Sequence, residues 1–175
     1  KRLFKISLAE WSLHRSLYGK SRELTSEEWS RLLANDLSSL LQGNVKHLDF
    51  AKIARRNFGL DAVEYVNTFF FDRATDTRFL KKMKTVADGE GVRSLLIMCD
   101  REGALGDPNE ADRIEAVENH YKWINAAKYL GCHSIRVNAQ SEGEYDEQMK
   151  LAANGLRRLT EYGAKNDVNI IVENH

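Results

Sequence analysis

Proline and cysteine are both scarce in this sequence of 175 residues, which has one proline and two cysteines. Only 11 residues are glycine, so collagen-like repeats and a linker-rich, disordered chain are both excluded. Cys99 and Cys132 do not have the spacing of a metal motif, and we predict two buried thiols in a reducing compartment, with a disulfide as the less favoured alternative. The composition is that of an ordinary globular protein.

The sequence also lacks an excess of charge of either sign, because 26 Lys and Arg residues balance 26 Asp and Glu residues. Non-specific nucleic-acid binding depends on a positive field, so we expect no nucleic-acid partner. The longest apolar runs, such as residues 95–99, are far shorter than the ~20 residues that a membrane helix requires, and we expect no membrane partner. A cytoplasmic location is the default expectation. Export after removal of a signal peptide stays open, because the chain begins at Lys1.

Five short apolar runs, each bounded by polar residues, indicate β-strands. They cover residues 3–9, 61–66, 92–98, 134–139 and 168–172. Segments with helical spacing separate them, most clearly residues 114–129, whose apolar side chains recur with a period of 3.6. Parallel strands need a crossover, and that crossover is normally a right-handed helical one. Strict alternation therefore predicts the α/β class with a parallel sheet.

The interval between the first two predicted strands is long enough for two helices. Thr25 and Glu28 form a capping-box pattern that predicts a helix through about residue 41. Asp49 can cap a second helix through about residue 58, and Gly59 follows where a helix C-cap is expected. Later helices are predicted to begin after Asp76 and near residue 110.

The fourth predicted strand separates polar from apolar side chains. Ile135 and Val137 face one way, while Ser134, Arg136 and Asn138 face the other. A polar second face near strand ends favours a (β/α) barrel, whose lumen opens onto an active site, over a doubly wound sheet. No glycine-rich loop follows the first strand, which argues against dinucleotide and P-loop nucleotide binding.

The organisation of the chain predicts a single domain over residues 1–175, since no linker or low-complexity tract interrupts it. The sequence stops directly after the fifth predicted strand, whereas a complete (β/α)8 TIM barrel has about 250 residues. We therefore interpret the chain as the N-terminal part of a longer protein, with about five of the eight strands present. The predicted helix at residues 25–41 is additional to the helices of a minimal barrel, and it is a candidate interface for a homo-oligomer.

Five segments together resemble the sugar phosphate isomerase/epimerase family of xylose isomerase-like TIM barrels. They are residues 6–14 (ISLAEWSLH), 58–67 (FGLDAVEYVN), 96–103 (LIMCDREG), 127–138 (AKYLGCHSIRVN) and 171–175 (IVENH). Each segment alone is a common strand-end sequence, so the resemblance rests on the ensemble, which runs over nearly the whole chain.

The resemblance implies a divalent metal, typically Mn, Mg, Zn or Co, at the C-terminal mouth of the barrel. Its ligands in the family are a Glu after strand five, then an Asp, a His and a Glu after strands six, seven and eight. Only the first position lies in this sequence, at Glu173, and the remaining ligands are expected beyond residue 175. The implied reaction is isomerisation or epimerisation of a sugar, sugar phosphate or polyol through a metal-stabilised enediolate, with Glu173 as metal ligand and general base.

Four further residues are candidates for substrate binding. His14 follows the first strand together with Trp11, whose ring can stack on a sugar face. Glu64 ends the second strand, Asn138 offers both a donor and an acceptor to hydroxyl groups, and His175 shares a face with Glu173.

Each candidate has a plainer alternative. Glu173 and Glu64 can be structural carboxylates paired with a cation, which for Glu64 would be Arg136. Asn138 can serve a turn, and the two histidines can be ordinary loop residues.

Other functions remain open on the same fold. A lyase or dehydratase is one alternative, and an endonuclease-four-type hydrolase is another, although neutral charge and few histidines disfavour the nuclease. A non-catalytic sugar-binding barrel is the third. An Asp, a His and a Glu at the ends of strands six to eight would favour catalysis over that binding role.

Overall fold

The computed structural model describes residues 4–173 of the chain, which form an α/β structure of strands alternating with helices. Five strands and seven α-helices lie within the described residues. The chain divides into two compact units, Lys1–Leu95 and Leu96–His175. The predicted class and the alternating order of elements are confirmed.

The first unit carries two parallel strands, which pair Leu8 with Val63 and Ala9 with Glu64. Its elements are β1 (Leu8–Ala9), α1 (His14–Tyr18), α2 (Ser26–Asn35), α3 (Leu37–Leu40), α4 (Phe50–Phe58), β2 (Ala62–Val66) and α5 (Thr77–Gly89). Short 3₁₀ turns connect several of them, including Glu10–Leu13 directly after β1 and His47–Asp49 directly before α4.

The second unit contains three strands in parallel pairs, with Ile97 opposite Ile135 and Ile135 opposite Ile170. Its elements are the end of β3 (Arg93–Met98), α6 (Glu110–Leu130), β4 (Ser134–Val137), α7 (Tyr145–Lys165) and β5 (Asn169–Val172). All five predicted strands are present with shorter ends. The first is reduced to two residues, and residues 1–3 lie outside the described part.

The capping box predicted at Thr25 is confirmed. The Glu28 N–H donates to Thr25 Oγ1 at 3.2 Å, and the Thr25 N–H donates to the Glu28 carboxylate at 3.1 Å. The predicted helix through residue 41 is nevertheless divided, since Asp36 adopts φ −153° and ψ 72° and caps α3 by accepting the Ser39 N–H. An Asp side chain that satisfies a backbone donor locally competes with helix continuation, which explains the break.

For α4, the predicted glycine C-cap is confirmed, whereas the predicted side-chain cap at the N-terminal end is not formed. Gly59 has φ +66°, and its N–H reaches the carbonyls of the last helical turn, as expected of a glycine C-cap. Asp49 occupies the N-cap position, but its side chain makes no capping hydrogen bond, because the helix is entered through a 3₁₀ turn. Of the other predicted starts, Asp76 caps α5 and Asn109 caps α6, which begins at Glu110.

Each unit has an apolar core built around its strands. In the first, Val63 and Tyr65 of β2 are buried, and the Phe50 ring of α4 packs edge-on to the Tyr65 ring at 5.9 Å. In the second, Trp123 of α6 and Ile135 of β4 are fully buried. Burial on this scale, at roughly 25 cal/mol per Å² of apolar surface, is the main driving force for these elements to associate.

Both cysteines are free and buried, as predicted. Burial, with the nearby carboxylates of Glu102 and Asp100, raises the pKa of the Cys99 thiol well above its usual range. That thiol therefore stays protonated and unreactive. Among the described residues, no helix combines the length and apolar character needed to span a bilayer.

Candidate functional site

Polar side chains converge at the C-terminal ends of three neighbouring strands in the second unit. Asp100 follows β3, Asn138 follows β4 and Glu173 follows β5, while Arg136 lies on β4 itself. We call these four residues the strand-end cluster. Strand ends are where parallel α/β folds carry their catalytic and binding groups, so this cluster is the candidate site of the second unit.

Arg136 is the centre of the strand-end cluster. Its Nη1 donates to Asp100 Oδ1 at 3.2 Å and to Asn138 Oδ1 at 3.0 Å. The Asn138 amide in turn donates to Asp100 Oδ1 at 2.9 Å. Asn138, which is predicted to bind substrate, thus also helps to hold Arg136. The alternative role of Asn138, in a turn, did not include this contact.

Glu173 lies beside the same guanidinium. Its Oε2 is 3.2 Å from Arg136 Nε, and its side chain is 55% exposed, whereas that of Arg136 is 11% exposed. Although the distance is that of an ion pair, Nε is buried and makes no hydrogen bond to any described residue. The expected alternative for Glu173, pairing with a cation, is therefore present in the structure, and it does not preclude a functional role.

Glu64 and His14 belong to the first unit, where each has a local partner. Glu64 accepts a hydrogen bond from Ser7 Oγ at 2.5 Å. The His14 Nδ1 lies 2.7 Å from the Trp11 carbonyl oxygen, so it carries the proton and leaves Nε2 as the acceptor in the neutral ring. The rings of His14 and Trp11 stack with their centroids 4.9 Å apart, and Trp11 is 50% exposed.

A buried pair that sequence analysis missed lies directly after β1. Glu10 is fully buried, and its Oε1 is 2.5 Å from His47 Nδ1, while its Oε2 accepts the Val66 N–H at 3.0 Å. The rings of Phe70 and Phe79 stack against the imidazole. Glu10 could have been noticed in the sequence as a charged residue directly after a predicted strand. Nothing in the sequence around residue 47 indicates that His47 is its partner.

A second buried carboxyl that the sequence did not reveal follows β3. Glu102 is buried and accepts hydrogen bonds from Trp123 Nε1 at 2.5 Å and from Lys122 Nζ at 3.0 Å. Burial raises the pKa of this carboxyl, and the two hydrogen bonds only partly oppose that effect.

The raised pKa of Glu102 has a consequence for stability. The folded chain binds the Glu102 proton more tightly than the unfolded chain does, so stability is lost as pH rises from the ordinary value of 4.5 through the raised pKa. We expect Glu102→Gln, which does not titrate, to lose less stability than the wild type over this range. Urea denaturation of both proteins at several pH values measures the difference, and parallel stability curves would contradict the prediction.

Within residues 4–173, no group of three or more His, Cys, Asp or Glu side chains is placed to hold a metal ion. Glu173 offers one carboxylate, whose Oε2 faces Arg136. Its Oε1 fits as one ligand of a hard divalent cation that has further ligands. His175 lies outside the described residues.

A separate cavity of about 390 Å³ lies in the first unit. It is lined by aromatic rings, among them Phe69, Phe70 and Phe79, and by charged side chains, among them Lys46 and Arg73. Neither Glu64 nor His14 lines it. The sequence-predicted binding residues of this unit are therefore not brought together by that cavity.

Comparison with known proteins gives a consistent fold. Residues 51–175 match the family model described as xylose isomerase-like TIM barrel. No curated protein matches the sequence. Among solved structures, 3-keto-D-glucoside 4-epimerase from E. coli is 16% identical with a TM-score of 0.60, and the match covers 73% of this chain and 50% of that one.

Two other structures match at similar levels. D-psicose 3-epimerase from Clostridium cellulolyticum H10, solved with D-tagatose, is 14% identical with a TM-score of 0.58, covering 73% of this chain and 46% of that one. The probable 3-DHS dehydratase AsbF from Bacillus anthracis is 14% identical with a TM-score of 0.65, covering 98% and 53%. The chain thus spans about half the length of these structures, and identity this low shows the shared fold alone.

Proposed function

The chain belongs to the xylose isomerase-like TIM barrel family, and from that membership we propose that the whole protein is an isomerase or epimerase. Its proposed substrate is a sugar, a sugar phosphate or a polyol. The observation that carries the proposal is the strand-end cluster. In it the Glu173 carboxylate lies beside the Arg136 guanidinium, which also donates to the Asn138 side chain, at the ends of parallel strands, where barrel enzymes carry their catalytic groups.

Glu173 is proposed to act in two ways. Its carboxylate holds a divalent metal, Mn, Mg, Zn or Co, together with ligands expected beyond residue 175. When bound, the metal polarises the substrate carbonyl as a Lewis acid. The Glu173 carboxylate also takes the proton from the carbon beside that carbonyl, and a second carboxylate of the whole protein returns a proton to the carbon.

Four residues are proposed to bind the substrate. Glu64 has a carboxylate with capacity beyond its bond to Ser7, and it accepts from sugar hydroxyls. His14 presents Nε2 beside the exposed Trp11 ring, on which an apolar sugar face stacks. Asn138 contacts the substrate while orienting Arg136, and His175 is proposed from sequence only.

The test is a calorimetric titration of the whole protein with Mn²⁺, compared with its Glu173→Gln variant. We expect stoichiometric binding by the wild type and about 100-fold weaker binding by the variant, because a neutral amide replaces an anionic ligand. Glu161→Gln is the matched control, since Glu161 is an exposed glutamate of α7, and its affinity should equal that of the wild type.

Activity is then measured as exchange of substrate C–H with solvent deuterium, using a panel of ketoses. Exchange that stays lost in Glu173→Gln at Mn²⁺ concentrations that saturate the variant supports the assigned base. If the wild type binds no Mn²⁺, or if Glu173→Gln binds it equally well, the metal-dependent proposal is wrong. A sugar-binding barrel without catalysis would then be the better description.

A further inference from the structure

We propose that Arg136 is the residue that positions Glu173 for its function. The guanidinium is fixed from one side by Asp100 and Asn138, and its Nε lies 3.2 Å from Glu173 Oε2. This inference rests on the function proposed for Glu173. It assigns to Arg136 no contact with the substrate.

Protein contacts hold the Arg136 side chain in place. Its side chain is 11% exposed, so its orientation is set by protein contacts rather than by water. Nη1 donates to both Asp100 and Asn138, which follow the ends of two different strands. Because a guanidinium is planar and rigid, fixing one of its nitrogens also limits where Nε can point.

Buried donors in folded proteins are nearly always satisfied, yet Arg136 Nε makes no hydrogen bond to any described residue. The acceptor within reach is Glu173 Oε2 at 3.2 Å, on a side chain that is half exposed and can rotate. A small rotation of this carboxylate completes a charge-assisted hydrogen bond, which would fix one oxygen and leave the other for a ligand.

Removal of Arg136 changes metal affinity in opposite directions if Arg136 acts through its charge alone and if it orients Glu173. A guanidinium near a metal ligand repels a divalent cation, so through-space charge alone predicts tighter metal binding when Arg136 is removed. A partner that orients a ligand predicts the opposite, since loss of such partners typically weakens metal affinity 10–100-fold.

The experiment uses the whole protein and Mn²⁺ as the probe. We expect Arg136→Met to bind Mn²⁺ about 10-fold more weakly than the wild type, and Arg136→Lys to fall between them, since lysine keeps the charge but lacks the planar fork. Arg157→Met, which changes an exposed arginine of α7, is the control and should bind as the wild type does. Equal or tighter binding by Arg136→Met would overturn the inference, and Arg136→Lys decides if Arg136→Met does not fold.

A second measurement needs no metal and keeps the two proposals distinguishable. Melting temperatures are compared for Arg136→Met, Glu173→Gln and the double variant. Because both single changes remove the same contact, the shift of the double variant should be smaller than the sum of the single shifts. Additive shifts would show that Glu173 is not held by Arg136. If the wild type binds no Mn²⁺, the function proposed for Glu173 fails, and this cycle alone still decides the contact.

Discussion

Replacing Glu10 with alanine is expected to lower the free energy of unfolding by about 3–5 kcal/mol. The carboxylate is fully buried and serves two partners at once, His47 Nδ1 and the Val66 N–H. Alanine leaves both of these buried groups unpaired, at a cost of about 1–3 kcal/mol each, and opens a cavity beside them.

Two variants isolate the cause of this loss. Glu10→Gln keeps the shape and one acceptor oxygen, so its destabilisation should be smaller than that of Glu10→Ala. Glu161→Ala removes an exposed glutamate and should change stability by less than about 0.5 kcal/mol. Urea denaturation gives the free energies from midpoints at a common m value. A loss from Glu10→Ala no larger than that of the exposed control would contradict the structure around β1.

Gly155→Ala is expected to destabilise the protein by about 3 kcal/mol, although alanine is normally the better helix former. Gly155 lies within α7, where an added Cβ would come closer than 3.0 Å to the Leu105 carbonyl oxygen. Because that obstacle is backbone, relief requires α7 to move away from the loop before α6. The steric cost therefore exceeds the gain of about 1 kcal/mol in helix propensity.

The matched control is Gly89→Ala at the end of α5. A Cβ at Gly89 would meet no atom within 4 Å, so alanine should stabilise the chain by about 0.4–1 kcal/mol. Thermal unfolding of the two variants should show shifts of opposite sign. Shifts of the same sign would mean that α7 does not approach Leu105 as closely as described.

Local patterns in the sequence predicted most of the elements. The Thr25 capping box, the Gly59 C-cap and the five apolar runs each depend on neighbours within a few residues, and each of them is confirmed. The helix predicted through residue 41 failed at Asp36. A capping side chain there competes with helix continuation, and periodicity alone does not decide that competition.

The candidate site was predictable only in part. Alternation along β4 placed Arg136 and Asn138 on one face, and the resemblance indicated Glu173. The choice of partners for Arg136 required the register of β3, β4 and β5, which no local signal contains. The Glu10–His47 pair was missed for the same reason, since its members are 37 positions apart in the chain.

The separation of Glu10 and His47 bears on how this fold tolerates change. Their contact closes a segment that contains α1, α2 and α3, with the two ends fixed beside β1 and α4. The entropy of closing such a loop grows only with the logarithm of its length, so doubling it costs about 0.6 kcal/mol. Insertions into the exposed turns of this segment are therefore thermodynamically cheap, whereas deletions that remove its buried side chains, such as Leu17 and Leu40, carry the larger cost of lost core packing.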